Sequence, residues 1–278
     1  MRRLLEKMQL LLLLLAFSLL HKTKTGEIIG GHEAKPHSRP YMAFVEFRYT
    51  GVYEICGGIL IHENFVLTAA HCFNRTLASE YKSTIVYLGV HNITKKEETQ
   101  QLRLVQRRVP HPKFRFKKLS NDIMLLQLEG KAILTKEVQI LKLPKEISQV
   151  MPGTVCQVAG WGMLAQSGKH ADTLHEVEMT VQDDKECKIR WPDYNSAMHM
   201  CAGDPKIQKA SFKGDSGGPF MCNNVLQAIV CTGTEDGQPP RAYTKLSPYL
   251  DWIESTIKHL LLQGANEVPS LSNHLSWI

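Results

Sequence analysis

From about residue 41 onward the apolar residues come in short runs, YMAFVEF, GGILI, FVLTAA, STIVYLGV, DIMLLQL and QAIVCTG, set between polar or Gly/Pro-containing segments. Each run has the length of a strand and falls short of a typical helix, so the pattern predicts a many-stranded, all-β chain. Helical periodicity is missing until the end. There Tyr249, Leu250, Trp252, Ile253, Ile257, Leu260 and Leu261 fall on one side of a helix that Ser247-Pro248 would start. Residues after about Leu262 follow neither period and read as a mobile tail over 263–278. With 278 residues, 43% of them hydrophobic and 22% charged, the chain can bury a sizeable core and has the composition of neither a fibre nor a disordered segment.

The N-terminus carries a separate pattern. Arg2, Arg3 and Lys7 precede the run Leu10 to Leu20, the layout of a secretory signal over residues 1–25. That run is short of the roughly 20 apolar residues a spanning helix needs, so a membrane anchor is the weaker reading. Thr23 and Thr25 are the small residues that favour a cut after Thr25, and Met8 is an alternative start because MQLLLLLLAFSLL is a complete signal core. Residues 1–27 hold five Lys/Arg and two Asp/Glu, so their loss lowers the formal charge from +6 to +3. Such mild basicity, spread over pairs such as Lys95-Lys96 and Lys117-Lys118, gives no reason to expect nucleic acid and reads mainly as solvated surface, with acidic glycans the anionic partner it would meet. Seven cysteines in a signal-bearing chain imply disulfides formed in an oxidising compartment, with one thiol left over. Asn74-Arg-Thr and Asn92-Ile-Thr are candidate glycosylation sites on surface loops.

Three fragments carry chemistry. In Gly214-Asp215-Ser216-Gly217-Gly218-Pro219 the glycines permit turns that expose a serine hydroxyl and aim amide N–H groups at one point. Leu67-Thr68-Ala69-Ala70-His71-Cys72 and Asn121-Asp122-Ile123-Met124-Leu125-Leu126 add a histidine and an aspartate, in the order His, Asp, Ser. Each fragment alone is readable as a strand end with a satisfied polar group; the three together are not.

On these motifs the chain resembles the chymotrypsin-like serine proteases, from Ile28 to about Leu260. The resemblance implies two six-stranded antiparallel β-barrels over residues 28–262, with the active site between them and a C-terminal helix. It implies Ser216 as nucleophile, His71 as general base and then acid, and Asp122 as the buried carboxylate that orients the imidazole. The N–H groups of Gly214 and Ser216 would form the oxyanion hole. Ile28-Ile29-Gly30-Gly31 is similar to the family's new N-terminus after activation, whose amine would pair with Asp215. Only Gly26 and Glu27 separate Ile28 from the signal, which matches the activation dipeptide of granule-stored leukocyte and mast-cell proteases, removed by a dipeptidyl peptidase. Pro36-His37-Ser38-Arg39-Pro40-Tyr41-Met42-Ala43 is similar to the granzyme, cathepsin G and chymase branch. The resemblance pairs Cys56 with Cys72, Cys156 with Cys222 and Cys187 with Cys201, and leaves Cys231; six cysteines alone would allow fifteen pairings.

The same resemblance places Ala210 at the base of the specificity pocket, Gly233 at its entrance, and Cys231-Thr232-Gly233 along the substrate backbone. An acidic base is missing, so selection of Lys or Arg lacks its counter-charge. Arg241 matches the position from which granzyme B reads an acidic side chain. It either points into the pocket or turns toward solvent, Glu235 or Asp236; in the second case an apolar pocket would take Phe, Tyr, Leu or Met. Cys231 stands where relatives usually carry a serine that hydrogen-bonds the aspartate, and a thiol is a weaker donor. It reads either as a small buried residue or as an oxidisable thiol that weakens support for Asp122. The expected partners are protein or peptide substrates, with serpin inhibitors as the opposing class, and the expected state is a monomer. No cofactor is expected. No H-E-x-x-H or paired-Cys spacing suggests a metal enzyme, and the intact His71, Asp122 and Ser216 oppose an inactive binding homologue.

Overall fold

The computed structural model describes residues 28–118, 120–146, 149–164, 168–232 and 236–266, and among these thirteen strands build two sheets. The signal, the Gly26-Glu27 dipeptide, Gly233 and Glu235 lie outside the described residues. The chain enters through β1 (His32–Glu33). It then forms β2 (Met42–Tyr49), β3 (Val52–His62), β4 (Phe65–Thr68), β5 (Tyr81–Leu88), β6 (Gln101–Pro110) and β7 (Met124–Leu128). These six close into a barrel in the order β2-β3-β4-β7-β6-β5. All four residues of β4 are buried, because its outer side is covered as well as its inner one, and so FVLT reads as a continuous apolar run.

The second sheet takes β8 (Val155–Gly160), β9 (His175–Thr180), β10 (His199–Ala202), β11 (Pro219–Cys222), β12 (Val225–Thr232) and β13 (Arg241–Lys245) in the order β1-β9-β8-β11-β12-β13-β10. Its ends meet. Val181, just past β9, bridges to Ala202 of β10, Gln182 N donates to Cys201 O at 2.9 Å and Gly203 N to Thr180 O at 2.8 Å. The six strands β8 to β13 thus wrap into the second barrel, and β1 is a seventh strand laid beside the start of β9.

The first barrel packs around Phe47, Ile59, Leu60, Phe65, Leu67 and Leu126, and the second around Val158, Phe220, Val230 and Tyr243. A 3₁₀ turn at Ser247–Tyr249 leads from β13 into a helix over Leu250–Asn266. Tyr249, Ile253 and Leu260 of this segment bury themselves in the first barrel's cluster, so the last element of one barrel is fastened to the other. Each such side chain contributes roughly 1.5–3 kcal/mol.

Three expectations need correction here. Leu261 is 38% exposed and lies off the buried stripe. The helix continues four residues past Leu262 to Asn266, so the tail cannot begin at 263. A short helix, α1 (Asp184–Arg190), precedes it, which makes the closing helix α2 (Leu250–Asn266). Only Cys187 of α1 is buried, so no apolar stripe marked it; the Asp183 side chain caps it by accepting from Lys185 N at 3.0 Å, and the Cys187–Cys201 disulfide staples it to β10.

Candidate active site

Antiparallel register assembles the first half of the site. Thr68 at the end of β4 pairs with Met124 at the start of β7, so the turn after β4 emerges beside the residues before β7. That turn is the 3₁₀ segment Ala70–Cys72, which carries His71; Asp122 sits two residues before β7. His71 N donates to Asp122 Oδ1 at 2.8 Å, and His71 Nδ1 meets Asp122 Oδ2 at 2.6 Å. A carboxylate accepts at Nδ1, so the proton resides there and Nε2 is left as the acceptor that faces Ser216 Oγ at 2.9 Å. Ser216 comes from the second barrel, held across the interface by Gly57 N donating to Ser216 O at 2.9 Å. The Cys56–Cys72 disulfide brackets this junction, and Cys156–Cys222 ties β8 to β11.

Asp122 is fully buried. Burial alone would raise its carboxyl, but the charge of His71, the two bonds from His71 and one from Cys231 outweigh it and hold the group below the usual range. Burial also disfavours the His71 cation, and Asp122 again prevails, so His71 is pushed up from its ordinary value. Cys231 is 3% exposed and its Sγ donates to Asp122 Oδ2 at 3.2 Å, sharing that oxygen with His71. The thiol is therefore both buried and engaged with Asp122. Burial first, and then the Asp122 charge, push its own titration well above the ordinary range, so the buried thiol stays protonated and donating.

The turn before Ser216 leaves two donors free. Among the described residues, Asp215, Gly217 and Gly218 N–H each find a backbone acceptor, whereas Gly214 and Ser216 N–H find none. Gly214 has φ +99°, and a Cβ there would stand 2.8 Å from His170 Nδ1, so only glycine fits. The Asp215 side chain points away from the site into the second barrel, its oxygens accepting from Gly162 N at 2.8 Å and Phe212 N at 2.7 Å. A side chain on Gly160 or Gly162 would strike that carboxylate within 2.1–2.5 Å. Ile28 is buried in the second barrel's core, and Ile29 O accepts from Ala210 N at 3.0 Å.

Ala210 is fully buried at the head of the segment Ala210–Phe212. Arg241 opens β13 and is only 6% exposed, with its guanidinium carbon 5.5 Å from the centre of the Phe212 ring. Burial pushes its titration down, while Tyr243, Asp215 and Asp236 favour its charge and Arg190 opposes it. Thr232 ends β12 and pairs with Ala242. Of the sequons, Asn74 caps a 3₁₀ turn and its Nδ2 donates to Glu54 Oε1 at 2.9 Å, whereas Asn92 accepts from Thr94 through Oδ1. Reading the sequence missed Gly160 and Gly162, which a Gly-Trp-Gly triplet could have flagged, and it missed His170 and Arg190, which no local pattern marks.

The family model for trypsin matches residues 28–253. Granzyme B of Homo sapiens is 54% identical over 252 residues, spanning 90% of this chain and 99% of that protein. Cathepsin G of Homo sapiens is 43% identical over 262 residues, spanning 94% of this chain and 100% of its own length. A solved structure described as "Structure of GrC" superposes with a TM-score of 0.78 at 46% identity, covering 84% of this chain and 100% of that one. The chain accordingly belongs to the trypsin family of chymotrypsin-like serine proteases.

Proposed function

We propose that the chain beginning at Ile28 is a secreted, granule-stored endopeptidase that cleaves proteins after Asp or Glu through Ser216, His71 and Asp122. Ser216 Oγ attacks the scissile carbonyl carbon as its proton passes to His71 Nε2. The oxyanion meets the N–H groups of Gly214 and Ser216, each worth ~2.7–4 kcal/mol of barrier in comparable sites. Collapse of this intermediate breaks the C–N bond, and the Nε2 proton goes to the leaving amine. Water, deprotonated by the same nitrogen, then releases the acyl group from Ser216. Asp122 keeps its charge throughout and stabilises the imidazolium.

The observation that carries the acidic preference is a buried guanidinium set against the ring of Phe212, in a segment whose first residue, Ala210, brings no charge of its own. A substrate carboxylate is the side chain whose charge and geometry complement such a guanidinium. Profiling the mature enzyme on a peptide library tests this: Asp or Glu should dominate at the cleaved position, and Arg241→Ala should lower kcat/KM for them by about 100-fold or more. A wild-type profile led by Phe, Tyr, Leu or Met, or an unchanged Arg241→Ala profile, overturns the assignment.

Cys231 tunes the same site. A thiol supports the Asp122 charge less than a hydroxyl would, so Asp122 stays more basic and holds His71 higher. Cys231→Ser should move the acidic limb of the kcat/KM profile to lower pH by about half a unit, and Cys231→Ala should move it upward. Identical limbs in all three enzymes would show that the thiol only fills space.

Activation is proposed to require a dipeptidyl peptidase that removes Gly26-Glu27. Serpins and acidic glycans are the proposed inhibitors and granule ligands, and the enzyme is proposed to act as a monomer. Because Nδ2 of Asn74 is engaged by Glu54, Asn92 is the better placed of the two sequons for a glycan.

A further inference from the structure

The turn that leads into Arg241 is held from a separate element, the short helix α1. Arg190, the last residue of α1, donates through Nη2 to Asp236 Oδ2 at 3.2 Å and through Nη1 to Pro239 O at 2.5 Å. One planar guanidinium therefore spans the two ends of the Asp236–Pro239 turn, the geometry for which arginine is suited and lysine is not. Asp236 completes the turn from within, its Oδ1 accepting from Gln238 N at 2.9 Å. Arg241 follows two residues after Pro239, already paired with Ala202 in the sheet.

The charges in this corner compete. The Asp236 charge favours the Arg241 cation and the Arg190 charge opposes it. Asp236 is half in solvent and Arg190 about a quarter, so their ion pair adds little to the stability of the fold. Its consequence is directional. We infer that Arg190 is a positioning residue for side-chain selection: by occupying Asp236 and pinning the Asp236–Pro239 turn, it keeps that carboxylate from drawing the Arg241 guanidinium away from the Phe212 ring. This rests on the reading in which Arg241 selects acidic side chains.

Without Arg190, the Asp236 charge loses the cation that offsets it, so it pulls harder on Arg241 and repels an incoming acidic substrate. Both effects weaken ground-state binding of Asp or Glu and leave the Ser216 chemistry alone. The test uses the mature chain beginning at Ile28, with Arg190→Gln, Asp236→Asn, the double variant and Arg241→Ala, assayed on tetrapeptide substrates ending in Asp or Phe. Arg190→Gln should raise KM for the Asp substrate about tenfold with kcat nearly unchanged, and should leave the Phe substrate and the melting temperature unaffected. Asp236→Asn should restore KM in the double variant, which a merely structural role for Arg190 would not permit. Equal loss on both substrates, or no rescue, overturns the role of Arg190. If Arg241→Ala discriminates against Asp while Arg190→Gln does not, only this inference falls; if Arg241→Ala cleaves after Asp as well as the parent, the acidic pocket falls and takes it along.

Discussion

Asp122→Asn should lower kcat by about 10⁴-fold with the fold intact, the magnitude established for this family's own triad. The reason lies in what each oxygen of Asp122 accepts. Oδ1 takes the His71 backbone N–H and Oδ2 takes both His71 Nδ1 and the Cys231 thiol, so every contact of this buried group is a donor aimed at an acceptor. An asparagine must turn its NH₂ toward one of them. If it faces Nδ1, that nitrogen becomes the acceptor, the proton moves to Nε2, and Ser216 Oγ loses its base. If it faces the His71 amide, two donors oppose each other inside a buried site. Steady-state hydrolysis of a peptide ester from pH 6 to 10 checks the result, with a partial recovery expected at the alkaline end as hydroxide replaces the missing base. A loss below tenfold would mean that His71 is oriented by something other than Asp122.

Retaining Gly26-Glu27 should cost at least ~100-fold in activity, because a buried charge deprived of its partner is worth about 3–5 kcal/mol. Asp215 is fully buried, and its neighbours Phe212 N and Gly162 N are dipoles, not charges. Burial pushes its carboxyl up to about 6, against the pull of these amides and of Arg241. A carboxyl raised in the folded state binds its proton more tightly than the unfolded chain does. Stability from this group is therefore present at low pH and is lost as pH rises from the ordinary carboxylate range through about 6. A new ammonium at Ile28 would remove that penalty by pairing with Asp215. Two proteins carrying Ser216→Ala, one beginning at Gly26 and one at Ile28, should diverge in the unfolding free energy measured by urea titration as pH goes from 4.5 to 7, by up to ~3 kcal/mol. With Ser216 restored, a fluorophosphonate probe should label the chain that begins at Ile28 far faster. Equal labelling of both chains would remove the need for the Ile28 amine, and parallel pH curves would remove Asp215 as the group that senses it.

Much of this protein is legible in one dimension. The strand-length apolar runs state the fold class, because a half-buried or buried strand needs only local alternation or a short apolar stretch. The fragments around His71, Asp122 and Ser216 state the reaction type, since glycines and catalytic groups sit together in short segments. The helix α1 was illegible because a cap and a disulfide form it, without any buried stripe. The extension of α2 to Asn266 was hidden because the segment Gln263-Gly264-Ala265-Asn266 carries no apolar period. Leu261 has the right residue type on the wrong side of the same helix.

By itself the sequence determined the inventory: which side chains exist, how far apart they lie along the chain, and which segments become strands. Tertiary structure alone decided who meets whom. His71 and Asp122 are 51 positions apart and touch because Thr68 pairs with Met124; Ser216 joins them because Gly57 binds its carbonyl across the two barrels. The thiol of Cys231 reaches Asp122 from 109 positions away, and Arg190 grips a turn 46 positions downstream. Register and barrel closure set these contacts. Both are non-local: they depend on which edges pair and at what offset, and shifting one strand by one residue would turn every one of its side chains to the other face.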